Sequence, residues 1–382
     1  MIRRGLWLFY FAWLSCGTAL YPQLSGSLAF SWFFDDNPER IVEGEQEFVH
    51  SAKADLGYRL FNREAYIVYS GNYNLFTSIK DRTFQLHSLG AQYSFSTTDS
   101  GEENVSASAE YSLKRGTGIY ADYDYDQFSG EINGRFPFSE TVFVRFEGSS
   151  SYKKLPALNE LVHFENSAGA QFSFFFETGT GIFLSSGMGF KNYSYKEELV
   201  RPSGSGAGSG KQSGKTAYSV TQKFSVSQFR GMVKVSQAVF DELGVNLHYL
   251  YRRNTAETKG TYAAADFIYS GDDELWDDPY GFSSNETGME FTWKLPFSIT
   301  TKISIDFANR HYTNNLSDSL NISQRIDERA AFWGGVTKSF ENTPLFEFIE
   351  VNAEYMYVNN KSNTGVFSYK NNLFLLGFRA GF

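Results

Sequence analysis

From residue 25 to its last residue the chain repeats one pattern, an alternation of apolar and polar side chains with a period of two. Val142, Val144 and Phe146 alternate with Phe143, Arg145 and Glu147. Ile299, Ile303, Ile305 and Phe307 alternate with Thr300, Lys302, Ser304, Asp306 and Arg310. Ile349, Val351, Ala353, Tyr355 and Tyr357 alternate with Glu350, Asn352 and Glu354. An extended strand sends successive side chains to opposite faces, so each stretch has one face for an apolar medium and one for water. Strands are expected at 25–34, 48–61, 64–75, 83–95, 103–115, 123–136, 140–153, 161–175, 179–193, 221–238, 243–254, 285–296, 298–312, 325–339, 346–359 and 369–382. The count is about sixteen, within fourteen to eighteen.

The final strand, Leu373 to Phe382, places Phe374, Leu376, Phe378, Ala380 and Phe382 on one side, and the chain stops on an aromatic ring. It resembles the closing strand of bacterial outer-membrane β-barrels, in which the terminal aromatic is the insertion signal. The resemblance implies a partnership between the strand ending in Phe382 and the barrel-assembly machinery, and outer-membrane lipid as surroundings.

Composition agrees with a barrel. Aromatic residues make up 18% of the 382 residues, with 38 Phe and 24 Tyr, more than a soluble core requires and in keeping with aromatic girdles at two membrane interfaces. Mean hydropathy is -0.35, which excludes a bundle of membrane helices but not a barrel, because half of each barrel strand faces water. The formal charge of -9 argues against nucleic acid as a partner.

The connections alternate in kind. Short links fall at 61–64, 137–139, 177–179, 241–242 and 295–297, with somewhat longer ones near 96–102 and 340–345. Polar, mostly longer links fall near 35–47, 76–82, 153–160, 194–220, 255–284, 313–324 and 360–368. Short periplasmic turns opposite long outer loops are the rhythm of an all-β, up-and-down antiparallel transmembrane barrel with both termini in the periplasm. The loop 201–215, rich in Gly and Ser, reads as a mobile outer loop within one domain.

Residues 1–19 carry Arg3 and Arg4, an apolar run from Gly5 to Leu14 and small residues ending at Ala19. They read as a secretory signal peptide cleaved after Ala19, leaving 20–382 as a single barrel domain. The rival reading makes Cys16, the one cysteine, a lipidated N-terminus. Either way the barrel itself has no thiol for a disulfide or a Cys-ligated metal, and no cofactor is expected.

No nucleophile motif, phosphate-cradling loop or histidine pair with metal-ligand spacing occurs, and the five histidines are scattered singly. An enzyme assembled from distant strands remains a third reading. The outer loop holding Asp272, Asp273, Glu274, Trp276, Asp277 and Asp278 is a candidate ligand site for calcium or a glycan, against a plain solvated acidic loop. The candidate pore-lining residues are Glu131, Arg135, Arg145, Glu147, Glu290, Lys294, Lys302, Asp306, Arg310, Glu350 and Glu354, with Lys114, Lys191, Arg252 and Arg379 on the same expected face. Opposite signs lie close together on single strands, as in Glu131/Arg135, Arg145/Glu147 and Glu290/Lys294. Two readings follow: a transverse field across a constriction, or a mesh of ion pairs and hydrogen bonds bracing the inner wall.

Sixteen or so strands enclose a lumen wide enough for water. The expected function is therefore passive diffusion of small hydrophilic solutes through a porin-like channel. The alternative is a non-conducting or export-associated barrel serving surface-polysaccharide or secretion machinery, or binding ligand through its outer loops. A homo-oligomer is compatible with either, and no sequence feature demands one.

Overall fold

The computed structural model describes residues 24–38, 40, 44–60, 64–96, 104–158, 161–198, 219–257, 279–312, 324–341, 343 and 345–382. The expected signal peptide, Cys16, the Gly/Ser-rich loop and the acidic segment Asp272–Asp278 lie outside the described residues. The strands are β1 (Leu24–Asp35), β2 (Glu47–Arg59), β3 (Ala65–Phe76), β4 (Phe84–Ser96), β5 (Asn104–Gly116), β6 (Tyr125–Ser139), β7 (Val142–Lys154) and β8 (His163–Phe175). They continue as β9 (Thr180–Glu198), β10 (Ser219–Ala238), β11 (Leu243–Glu257), β12 (Phe282–Leu295), β13 (Ile299–Tyr312), β14 (Ile326–Glu341), β15 (Phe348–Ser362) and β16 (Tyr369–Gly381).

Each strand pairs antiparallel with its sequence neighbours, and β1 pairs with β16, so the sheet closes without an edge. Closure satisfies the backbone groups that an open sheet would expose to hydrocarbon. At the seam Gly26 and Phe382 exchange two backbone hydrogen bonds, of 2.8 and 2.9 Å, so the last residue completes the ladder.

The alternation decides which side chains point outward. Leu28, Phe30 and Trp32 of β1 and Phe374 and Leu376 of β16 are exposed, and so are Phe128 and Ile132 of β6 and Phe146 of β7. The intervening positions point into the barrel, where Glu47, Lys191, Gln228 and Asp327 are almost wholly buried. The core of this molecule is therefore polar, the inverse of a soluble domain. Outward tyrosines mark the upper limit of the apolar band. The hydroxyls of Tyr111, Tyr249 and Tyr355 donate to Asp126, Asn285 and Asn372 at 2.7 Å each, with rings toward lipid and oxygens toward the long-link end.

The long-link end is partly ordered by short 3-10 turns at Lys80–Arg82, Gly118–Tyr123, Pro279–Gly281 and Gly365–Phe367. β9 and β10, at 19 and 20 residues, extend further into the link at 194–220 than the sequence periodicity indicates. Their extra residues, such as Ser194 to Glu198, are mostly polar or amphipathic on both faces, so the alternation that marks a membrane-crossing strand fades while backbone pairing continues.

Candidate functional site

The eleven residues expected to line a pore all lie on the inward face. In β6 and β7 the outward row is Ile132, Gly134 and Phe136 against Gly148, Phe146 and Val144, which leaves Glu131, Arg135, Arg145 and Glu147 on the opposite face. The same parity turns Glu290, Lys294, Lys302, Asp306 and Arg310 inward from β12 and β13, and Glu350 and Glu354 inward from β15.

Their contacts run largely to neutral neighbours, through hydrogen bonds and ring contacts. Arg145 donates to Asn133 at 3.3 Å, and Arg135 stacks over Phe143 at 4.5 Å. Glu290 accepts from Asn246 at 3.1 Å, and Glu354 accepts from Trp333 at 3.2 Å and Asn352 at 2.6 Å. Ion-pair contacts among them include Asp306 with His248, at 3.4 Å, and Glu350 with Arg379, at 4.0 Å. Lys53 and Asp55, two residues apart on β2, do pair, at 3.1 Å.

A second level lies near the long-link end. Here the inward side chains are packed: Lys114, Lys153, Lys191 and Arg310 are all buried, as are Asp35, Glu47 and Asp327. The contrast with the lumen below this level is large. Arg379, Lys53 and Asp306 keep 50%, 47% and 43% of their side chains exposed, whereas Asp327 keeps 1%. Inward side chains are therefore more crowded at the long-link end than below it.

Buried cations and buried carboxylates gather on different arcs of the ring, each arc also holding a counter-charge, Glu286 in the first and Arg325 in the second. Five cations, Lys114, Lys153, Lys191, Arg252 and Arg310, come from alternate strands β5, β7, β9, β11 and β13, and each lies against an aromatic face. Lys114 sits 4.7 Å from the Phe84 ring, Lys153 4.4 Å from Tyr125, Lys191 5.3 Å from Tyr193 and Arg310 4.7 Å from Phe282. Arg252 also reaches Phe282, at 5.8 Å, and pairs with Glu286 at 2.5 Å. A cation over a desolvated ring gains about 2 kcal/mol, which offsets part of the cost of withdrawing it from water.

The facing arc, β14 to β2, carries Asp327, Asp35 and Glu47. Asp327 is held by Arg325 and by Asn360, whose amide donates at 3.0 Å; the Arg325 guanidinium lies 3.7 Å from the Phe367 ring. Asp35 accepts from the Asn37 backbone at 2.9 Å and from the Asn371 amide. Glu47 gathers the backbone N–H groups of Phe48, Thr77, Ser78 and Ile79 and the Thr77 hydroxyl at 2.9–3.0 Å, and so ties the β3–β4 link to the mouth. Tyr280, next to β12, reaches past β11 and β10 to β9. Its ring lies 5.7 Å from Lys191, and a Cβ at Gly189 would collide with its hydroxyl.

Sequence parity already pointed to Lys114, Lys191, Arg252 and Arg310. Lys153 continues the Arg145/Glu147 row and Asp327 precedes the expected alternation of β14, so both were within reach of the same signal. Glu47 and Tyr280 carry no local signal, because their partners are set by loops. Among the described residues no group of three metal-ligating side chains converges.

No protein-family profile matches the sequence, and no curated protein matches it. Solved structures do. OccAB1 of Acinetobacter baumannii superposes with a TM-score of 0.52 at 8% identity over 94% of this chain and 96% of that one. CdiB from Acinetobacter baumannii gives 0.50 at 9% identity over 94% of this chain and 60% of that one. A structure described as a bacterial polysaccharide outer membrane secretin gives 0.49 at 9% identity, covering 94% and 97%. The architecture is that of bacterial outer-membrane β-barrel proteins.

Proposed function

We propose that this protein is a porin-like channel of the outer membrane through which small hydrophilic solutes diffuse. The carrying observation is the solvent exposure of charged inward side chains in the middle of a closed barrel. An interior meant only to brace the wall would bury them. Solutes entering from outside meet the divided ring first. Its basic arc and facing acidic arc set up a field across the opening that aligns dipolar solutes and disfavours apolar ones. Export by the expected signal peptide and assembly through the strand ending in Phe382 deliver the barrel, with its short turns in the periplasm. No catalytic role is assigned to any residue.

The packing of the outer ring favours a second reading, a non-conducting or export-associated barrel. Planar-bilayer recording separates the two. Stable open steps from the purified protein support diffusion, and reversing Lys153 and Lys191 to Glu should move the reversal potential toward cation preference. Persistent silence, with the barrel shown to be folded and inserted, would refute the channel and leave the export reading standing.

A further inference from the structure

Opposite charges that neighbour one another along a strand are stacked by height in a single order. On β2, β6 and β12, which run down to their short turns, the carboxylate comes first: Asp55 before Arg59, Glu131 before Arg135 and Glu290 before Lys294. On β7 and β13, which run up from theirs, the cation comes first: Arg145 before Glu147 and Lys302 before Asp306. The sequence order reverses with strand direction and the height order does not. On all five strands the cation is nearer the short turn and the carboxylate nearer the long link, an asymmetry that bracing between neighbours does not require. These strands are spread around the closed sheet, at β2, at β6–β7 and at β12–β13.

The rest of the inner wall follows the same order. Within four residues of the short-turn ends of their strands lie six inward cations, Arg59, Arg135, Arg145, Lys234, Lys294 and Lys302. The carboxylates of that level each meet a cation of their own, Asp55 with Lys53 at 3.1 Å and Glu350 with Arg379 at 4.0 Å. Five to eight residues up stand six inward carboxylates, Glu110, Glu131, Glu147, Glu290, Asp306 and Glu354, with Arg230 and His248 as the remaining basic groups among the described residues. Both levels face water: Arg135, Arg145, Lys294 and Lys302 below and Glu110, Glu131 and Glu147 above are exposed. Arg59, Arg135 and Lys234 rest over the rings of Tyr66, Phe143 and Phe183, at 5.4, 4.5 and 5.7 Å, contacts that hold a cation without cancelling its charge. Two to four residues along a strand, at about 3.3 Å each and a tilt of roughly 40°, separate the levels by about 5–10 Å of height. That is no more than the Debye length of about 10 Å at 0.1 M salt, so each level holds its own sign of potential against the other.

We propose that the lumen is an axial charge junction that rectifies the ionic current through it. The basic level fills with mobile anions and the acidic level above it with mobile cations. A potential positive on the outer side drives both populations toward the boundary between the levels, concentrates ions there and raises the conductance. The opposite polarity draws both away and empties the boundary. The inference rests on the channel reading above and gives that channel a direction.

The test is single-channel recording from the full chain in bilayers of neutral lipid with the same potassium chloride solution on both sides. At about 0.1 M the open-channel currents at equal and opposite voltages should differ about twofold, and at about 1 M, where the Debye length is about 3 Å, they should match. Biotin on Thr178→Cys in a Cys16→Ser background, met by streptavidin added to one chamber, marks the short-turn side by a step in current. The larger current should be the one with the other side positive. Exchanging the charges on one flank, Glu131→Arg with Arg135→Glu and Arg145→Glu with Glu147→Arg, keeps the composition and sets β6–β7 against β12–β13. The two currents at 0.1 M should then become nearly equal, with the conductance at 1 M kept. Heat-modifiable mobility certifies the fold, and should the exchanged protein not fold, Arg135→Gln, Arg145→Gln and Lys294→Gln together should equalise the currents in its place and raise cation preference. Open steps of equal size at both polarities in the parent protein at 0.1 M would overturn the junction and leave the channel standing. Rectification that survives the exchange or the triple change would overturn it too, and silence from folded, inserted protein would remove the channel and the junction together.

Discussion

Removing the Glu47 carboxylate should release the β3–β4 link from the mouth. The side chain is fully buried and receives five hydrogen bonds, four from backbone N–H groups, at 2.9–3.0 Å. A hydrogen bond to a charged acceptor contributes roughly 1.5–3 kcal/mol net, and a stranded buried donor costs about 1–3 kcal/mol. Five such bonds would exceed that range severalfold, but water enters at the mouth and re-pairs most of the freed donors. Glu47→Ala should then destabilise the link locally by about 3–5 kcal/mol, and Glu47→Gln, which keeps one acceptor oxygen and loses the charge, by about 1–2 kcal/mol. Hydrogen exchange at Thr77, Ser78 and Ile79 reads this directly. Since 1.4 kcal/mol is a factor of ten, protection at these amides should fall roughly a hundredfold or more in Glu47→Ala and about tenfold in Glu47→Gln. Mid-strand amides of β2 and β3 should be unchanged. Unaltered protection at 77–79 in Glu47→Ala would refute the idea that one carboxylate holds the link, and an equal loss throughout β2 and β3 would show that it holds the barrel instead.

Gly189→Ala should push the Tyr280 hydroxyl away from β9, and single-channel conductance should rise if that ring narrows the mouth. Asp327→Ala strands Asn360 and the Arg325 guanidinium, so thermal unfolding in detergent should show a loss of about 3 kcal/mol. Deleting Phe382 removes both backbone bonds to Gly26, and the fraction of chain reaching the heat-modifiable folded form in cells should drop sharply. Phe297 has φ of 65°, and Phe297→Asn should relieve about 1 kcal/mol of left-handed strain in detergent, seen as a higher urea midpoint.

The alternation of Val142 to Glu147 or Ile349 to Tyr357 was sufficient for the sequence to determine strand positions, an outer apolar face and an inner polar one, because those properties depend on a chain's own period of two. The spacing of short and long links determined the up-and-down order, and the terminal Phe382 marked the strand that closes the ring. Only the tertiary structure decided that charges neighbouring in sequence, such as Arg145 and Glu147, stay apart while Asp306 meets His248 and Glu354 meets Trp333. Those contacts depend on the stagger between strands, which is set by the whole closed ladder. The packed outer ring has the same origin. Lys153, Lys191 and Asp327 carry no label of height in the sequence, and Lys191 and Asp327 are crowded by Tyr280 and by Arg325 with Phe367, which arrive from elsewhere in the chain.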